Sequence, residues 1–518
     1  MCEVARVAHH WDFPWSAKST TQIQKHKAFW RLVVLADTGQ IARYNSREMS
    51  IPIPQMRLHN SLTRRTEPLE TIEPGRVTVY TCGSTVYKYA HIGNLRTYLF
   101  GDLLHRTLEY LGYEVRYVKN ITDVGHMRND DHDSLAGADK MELAAETEGK
   151  SPSEIADYYT AAWLEDEALI NILPVDVMPK ASDHIGEMLD LTQRLLDKRL
   201  AYEVNGTIYY DVSAFPAYGR LSGQKVEETH AGHRVDVESD KRAPADFALW
   251  KHAHDHRLMK WPSPWGDGFP GWHIECSAMS LKHLGERFDI HTGGIDLKFP
   301  HHEDEIAQSE GALGHRVVNV WMHGEFLTTA DAKMAKSTGN VVRVADLPEK
   351  GFEPIVFRYL ALTAHYRSKL DFTDDAMHAA ESGLARLRRA AQGADENAEL
   401  AAEPMAGYRA RFADAVADDL ATPGALATAH EVASASDLTD GQRRALLLDF
   451  DRVLGLGLDV AAPADLPLPA GAAELLKLRA VARAARDWAI ADALREELAS
   501  MGVEVRDTAE GQATRHRG

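Results

Sequence analysis

VTVYTCGSTVYKYAHIGNLR, residues 77–96, is the stretch whose reading decides the fold. An apolar strand, Val77–Thr81, runs into Cys82-Gly83, and the chain then reaches His91-Ile92-Gly93-Asn94. Directly after comes an amphipathic stretch, with Leu95, Tyr98, Leu103, Leu104, Leu108 and Leu111 at helical spacing. Strand, glycine-bearing loop and helix start, in that order, are how α/β proteins hold a phosphate. Backbone N–H groups at the helix N-terminus point at the anion, and the glycine lets the chain come close. Glu114–Ile121 reads as a second strand, which makes a βαβ unit.

Working outward, residues 124–250 interrupt the alternation. Ser151-Pro152-Ser153-Glu154 is a capping box with proline at the first helical position, so a helix starts there. A further helix is expected from Asp183 to Leu200, and a strand over Gly206–Val212. After WPSPWGDGFPGW the βα pattern resumes: helix 273–284, strand Phe288–His291, Gly293-Gly294, helix Pro300–Leu313 and strand Val317–Met322. Two βα halves around an insert imply an α/β fold with a parallel sheet and a site at its carboxyl edge. Beyond Phe352 the pattern turns helical, with alanine- and proline-rich linkers at 390–404 and 458–472 and one last helix over 473–502.

At 518 residues the chain is too long for one ordinary core. The expected division is an N-terminal extension 1–48, disordered or a misassigned start; a catalytic domain 49–350 with its insertion at 124–250; linking helices 351–392; a helical bundle 393–458; and a C-terminal domain 459–518. No apolar run is long enough for a membrane helix, and the N-terminus lacks the pattern of a secretion signal, so the cytoplasm is the expected location. A net charge of −19 argues against indiscriminate nucleic-acid binding but leaves room for a local RNA-reading face. Cysteine occurs three times, at Cys2, Cys82 and Cys276, which suits a metal or catalytic role better than a disulfide framework.

Cys82 ends the first strand, Cys276 begins the helix after the insert, and His301-His302-Glu303-Asp304-Glu305 follows in the second half. On a helix His301 and Glu305 share a face, whereas His302 and Asp304 are expected to point elsewhere. Two thiolates, an imidazole and a carboxylate suit a tetrahedral Zn²⁺. Spacing alone leaves a second reading open, in which the cysteines are ordinary buried thiols and the acidic residues answer the helix dipole. Lys333-Met334-Ala335-Lys336-Ser337 follows the last sheet strand, and its lysines and hydroxyls on a glycine-ended loop suit a triphosphate.

HIGN at 91–94 resembles the HIGH signature of class I aminoacyl-tRNA synthetases, and KMAKS at 333–337 resembles their KMSKS loop. TCGSTVYKYAHIGN, YVKNITDVGH, DKRAPADFALWK, WPSPWGDGFPGWHIECSAMS and GGIDLKFPHHEDEIAQSE are similar to cysteinyl-tRNA synthetases in particular, and the resemblance runs from Leu58 to Arg515. It implies a Rossmann-like catalytic domain followed by helical C-terminal domains, one Zn²⁺ on Cys82, Cys276, His301 and Glu305, and Mg²⁺ travelling with ATP. L-cysteine, ATP and tRNA(Cys) are the implied partners, with no membrane, and the chain is expected to act as a monomer. Gly83, Thr122, Trp272 and Asp296 would line the cysteine pocket. His91, Gly93 and Asn94 would meet ATP, with His91, Asn94, Lys333 and Lys336 in catalytic roles. The stretch RAARDWAIAD, read as part of the last helix, resembles the anticodon-reading end, so Arg483, Trp488, Asp492 and Asp507 would contact tRNA bases by stacking and hydrogen bonding. Trp488 with Ala491 and Leu494 also reads as helix core.

Three departures from the family pattern are visible: Ala335 for serine, Ser84 for proline, and Asp123-Val124-Gly125-His126 for an acidic run. A related ligase passes activated cysteine to an amino-sugar inositol and lacks an anticodon module, whereas some 180 residues follow KMAKS here. A non-catalytic zinc- and RNA-binding paralogue is the remaining alternative, with Ala335 its only support.

Overall fold

The computed structural model describes residues 54–124, 139–224, 241–254, 257–329, 332–333, 342–392, 398–460, 468–469, 471–508 and 511–516. The extension 1–48 with Cys2, the pair Gly125-His126, and Met334–Ser337 with Lys336 lie outside the described residues.

The opening stretch forms strand β1 (Arg76–Thr85), helix α1 (Ile92–Tyr110) and strand β2 (Glu114–Thr122). After the insert come α2 (Trp272–Leu284), β3 (Phe288–Gly294), α3 (His301–Leu313) and β4 (Val318–Gly324). The four strands run parallel in the order β4–β3–β1–β2. From β1 the chain crosses to β2 on one side, and from β3 to β4 on the other, so the order reverses between β1 and β3. Ligand sites form at that reversal, outside the strands' carboxyl ends.

Strand alternation divides the core into two faces. Val77, Val79, Ile290 and Met322 share a core with Leu95, Leu99, Leu103 and Leu104 of α1. Tyr80, Cys82, Val118 and Trp321 share the other with Ile274, Met279, Ile306 and Ala307 of α2 and α3.

The amphipathic reading of α1 is corrected: fifteen of its nineteen residues are buried. Helices Pro354–Leu362, Met405–Ala417 and Asp440–Leu454 belong to the same core and close over its outer side. Polar residues survive there because they are paired. Asp102 accepts from Arg106 Nε at 2.8 Å, Arg358 Nη2 at 2.6 Å and Leu173 N at 2.8 Å. Arg358 also donates to Leu454 O and Ile170 O, tying α1 to the later helices and to the insert.

In the insert, the capping box forms as expected: Ser151 N donates to Glu154 Oε2 at 2.8 Å and Glu154 N to Ser151 Oγ at 3.3 Å, opening helix Pro152–Leu169. A four-stranded antiparallel sheet, Ala201–Val204, Thr207–Tyr210, Phe247–His252 and Gly268–Pro270, goes beyond the single strand expected at 206–212. Asn205-Gly206, at φ 52° and 81°, makes its two-residue hairpin turn. The single helix expected over 473–502 is also corrected. Two helices, Ala472–Ala484 and Trp488–Ser500, meet at a break where Arg486 takes φ 59°. A hairpin, Val503–Thr508 with Gly511–His516, follows.

Candidate active site and metal centre

Cys82 and Gly83 form a bulge in β1: Thr81 pairs with Lys119 and Ser84 with Ile121, so two residues oppose Asn120 alone. Asn120 fixes the bulge by accepting from Gly83 N at 2.9 Å. No side chain fits at Gly83, since a Cβ there would lie 1.6 Å from Asn120 O. The bulge places the Cys82 thiol against the α2–α3 layer.

There the four expected ligands converge. Cys82 Sγ lies 3.7 Å from Cys276 Sγ and 3.7 Å from Glu305 Oε1, and His301 Nε2 lies 3.2 Å from the same Glu305 oxygen. One ligating atom from each of Cys82, Cys276, His301 and Glu305 lies within 4.8 Å of the others, and all four residues are buried. Cys276 enters from the second turn of α2, and His301 and Glu305 stand one turn apart on α3, at the edge where the strand order reverses.

The charges are set by the cluster itself. Burial pushes the Cys82 thiol well up. Burial acts on Cys276 too, but the hydrogen bond from Cys82 and the charge of His301 bring it down to about 6. Against burial, Cys276 and Glu305 raise His301 to about 10, while His291 and His301 hold Glu305 down to about 2. His301 Nε2 has no hydrogen-bond partner of good geometry, an arrangement a metal ion would complete.

The expectation that His302 points away is overturned. Its Nε2 lies 3.4 Å from Cys82 Sγ and 3.9 Å from Glu305 Oε1, because i and i+3 share a helix face as i and i+4 do. Cys82, His291, His302 and Glu305 form a second group that could hold an ion. Asp304 does turn aside, towards His273 Nε2 at 3.3 Å and the Tyr218 hydroxyl.

Around the ligands lies a shell of histidines that sequence reasoning missed. His273 Nδ1 meets His301 Nδ1 at 2.9 Å, His291 Nε2 meets Glu305 Oε2 at 2.9 Å, and His302 Nδ1 meets His323 Nε2 at 2.9 Å. These contacts hold the candidate ligands from behind, in the way outer partners hold metal ligands. A single histidine within an apolar strand gives no sequence signal for this. The clue was their number in one half of the fold.

His91 is the N-cap of α1: its Nδ1 accepts from Asn94 N at 3.2 Å, while His91 N donates to Asn94 Oδ1 at 3.3 Å. Gly93 packs beneath the imidazole, where a Cβ would come within 3.0 Å. Of the expected cysteine-pocket residues, Trp272 stacks obliquely on His301 with ring centroids 4.5 Å apart. Thr122 accepts from Asn120 Nδ2 at 3.2 Å, and Asn120 Oδ1 lies 3.7 Å from Cys276 Sγ. Asp296 sits on the turn Ile295–Lys298, its carboxylate against Gly294, where a Cβ would lie 2.4 Å away. Lys333 is described by its backbone, in strand Ala332–Lys333.

In the C-terminal unit Arg483 pairs with Asp507 and lies 5.9 Å from the Trp488 ring centroid. Asp507 also takes Arg479 at 2.8 and 3.0 Å. Trp488 is 57% exposed, which overturns its reading as helix core. Asp492 pairs with Arg495 at 3.7 Å instead of joining this group.

The model of the class I (C) tRNA synthetase catalytic domain matches residues 68–382, and that of the cysteinyl-tRNA ligase anticodon binding domain matches residues 466–515. Cysteine–tRNA ligase of Chlorobaculum tepidum is 42% identical over 480 residues, covering 88% of this chain and 98% of that protein. The chain belongs to the cysteine–tRNA ligase family. A Thermus thermophilus member is 44% identical over 475 residues, with the same coverage. A methionyl-tRNA synthetase of Mycobacterium tuberculosis aligns at a TM-score of 0.49 and 16% identity, over 74% of this chain and 90% of that one.

As a member of that family, the chain departs from its pattern while keeping Cys82, Cys276, His301 and Glu305 together. Asp123, in the divergent Asp123-Val124-Gly125-His126 run, accepts from Ser182 N at 2.9 Å and Ser182 Oγ at 2.6 Å. It thereby anchors the insert to the end of β2. Ser84 lies within β1, where its main chain pairs in register with Ile121. Ala335 falls outside the described residues.

Proposed function

We propose that this chain activates L-cysteine with ATP to cysteinyl-adenylate and transfers the cysteinyl group to the 3′ end of tRNA(Cys). The observation that carries the reading is the convergence of two thiols, one imidazole and one carboxylate at the nucleotide edge of the sheet. Zn²⁺ fits them: a tetrahedral ion with bonds of about 2.3 Å to sulfur needs the sulfurs about 3.8 Å apart, and they are 3.7 Å apart. The pair of thiols favours this set over the one built on His291 and His302, which has a single sulfur. An ion bound there supplies a soft Lewis acid that prefers the substrate's sulfur to the oxygen of serine.

The protein does the rest by position. Trp272 walls the pocket beside His301, Gly83 and Thr122 keep its floor narrow, and Asp296 faces the substrate amine. With its Nδ1 accepting from Asn94 N, the neutral His91 ring carries its proton on Nε2, a donor for a phosphate oxygen. As the cysteine carboxylate attacks the α-phosphorus and pyrophosphate leaves, charge grows on the phosphate oxygens. Lys336, helped by Lys333 and by the Mg²⁺ that accompanies ATP, stabilises it. Discrimination against serine at the thiol makes a separate editing site unnecessary.

Support for tRNA as acceptor comes from the C-terminal unit, where Arg483 pairs with Asp507 and lies 5.9 Å from the ring of an exposed Trp488. The amino-sugar ligase has no counterpart of it. The test is ATP–pyrophosphate exchange with cysteine against serine, with and without a chelator, followed by charging of tRNA(Cys). Cysteine-dependent exchange that a chelator removes, plus charging, is expected. Exchange without charging, but with transfer to the amino sugar, would favour that ligase. No exchange from a zinc-replete preparation would favour the non-catalytic paralogue.

A further inference from the structure

We propose that Arg96 and Arg343 are positioning residues that fasten the two described flanks of the lysine-bearing stretch, residues 330–341, to the start of α1. Both described ends of the stretch that carries Lys333 and Lys336 are then fixed to the helix that His91 caps. This rests on the nucleotide-site reading above.

On the leading flank, β4 ends at Gly324, and the next two carbonyls are taken by Arg96, one turn into α1. Its Nη1 donates to Glu325 O at 3.0 Å and to Phe326 O, and its Nη2 donates to Ser368 O. Arg96 is buried, and each of these acceptors is main chain. Burial lowers it to about 10, offset in part by Glu325, so it stays charged at neutral pH. A helix that only needed packing at this position would carry an apolar residue, because burying a guanidinium without a bonded carboxylate is costly. What the charge secures is the path of residues 325–326, immediately before strand Leu327–Thr329.

On the trailing flank, Ile92 N donates to Val342 O at 3.0 Å, so the first residue of α1 holds the chain directly. Arg343 follows, its guanidinium 3.6 Å from the ring centroid of Tyr89, two residues before His91. Its Nη2 lies 3.5 Å from Asp166 Oδ1 on helix Pro152–Leu169, and its own N–H donates to Asp346 Oδ2 at 3.1 Å. Arg343 therefore joins three pieces: the loop before HIGN, the insert helix and the chain leaving residues 330–341. Arg343 Nε and Asp166 Oδ2 are buried without hydrogen-bond partners. A pair kept for stability alone would satisfy both.

The planar cation is essential to stacking on Tyr89, so lysine is not an equivalent replacement. The test is exchange kinetics of full-length Arg343→Lys and Asp166→Asn, loaded with zinc, with Arg96→Lys as a third variant. Arg343→Lys should raise KM for ATP, or lower kcat, by about tenfold, as loss of one charge-assisted contact does. KM for cysteine should stay within about twofold, and the thermal midpoint within about 2 °C, as for a partly exposed side chain. Asp166→Asn should act in the same direction, more weakly. If Arg96→Lys fails to fold, Arg343→Lys still decides. ATP parameters like those of the wild type, or equal shifts in both KM values, would overturn the inference. Absence of exchange in the wild type would instead overturn the function itself.

Discussion

The cluster at the sheet edge and the C-terminal unit break opposite rules of folding. At the sheet edge, four titratable side chains are buried together. In the C-terminal unit, Leu478, Val481, Trp488 and Ile490 stand at least half exposed over a core as small as Ala472, Leu476, Leu498, Val503 and Val505. Burying ionisable groups is expensive unless something pairs them. Leaving large apolar groups in water marks a surface that awaits a partner. On the proposed function the first region is completed by an ion and the second by tRNA, so the two should be separable by mutation.

The largest effect is expected from the ligands. Cys276→Ala should take bound zinc from one ion per chain to none, and should slow cysteine-dependent exchange by about 1,000-fold. Metal analysis beside exchange kinetics checks both. Retained zinc with retained activity would mean that the ion sits on Cys82, His291, His302 and Glu305 instead, moving the centre without abolishing it. Next comes the opposite region. Trp488→Ala should lower kcat/KM for tRNA charging by about 5- to 100-fold, the worth of one base stacked on an aromatic ring, and leave pyrophosphate exchange unchanged. A fall in both would show that the two regions are not separable.

What the sequence disclosed follows the same division. The sheet edge was legible because strand and helix periods are short-range facts, and because two cysteines, a histidine and a glutamate at those positions are unusual. His302 joins the cluster through its i,i+3 relation to Glu305, which the i,i+4 spacing alone does not reveal. His273, His291 and His323 carry no such signal, because a histidine's partners come from elsewhere in the fold. The Asn205-Gly206 turn, by contrast, is a local signal legible in the sequence. The C-terminal unit was hard for a different reason: the break between its helices falls at Ala485–Asp487, with neither proline nor glycine to mark it. Arg486 adopts the left-handed conformation there instead.

A smaller effect concerns protons. Near pH 7 Cys276 and Glu305 are already ionised, whereas Cys82 holds its proton and His301, raised to about 10, carries one too. Zinc binding should therefore release about two protons per ion, and affinity should climb as pH rises. Calorimetry in buffers of different ionisation heat reads the number directly. Release near zero would mean the ligands are deprotonated before the metal arrives, and the charge distribution described above would be wrong.

The smallest effect is the one that separates positioning from stability. Burial pushes Asp166 up to about 6 against the pull of Arg343. Its folded value lies above the ordinary 3.8, so the folded protein holds this proton more tightly than the unfolded chain does. That contribution is fully present below about pH 4 and is lost as pH rises through 6, leaving the ionised carboxylate a burden at neutrality. Asp166→Asn keeps the shape without the charge. The variant should thus melt higher than the wild type at about pH 7.5, with the gap closing by about pH 4.5, although its exchange reaction is slower. A lower midpoint at the higher pH would mean that the pairing with Arg343 outweighs the burial. A gain in stability joined to a loss in rate is what a group retained for catalysis at the fold's expense must produce.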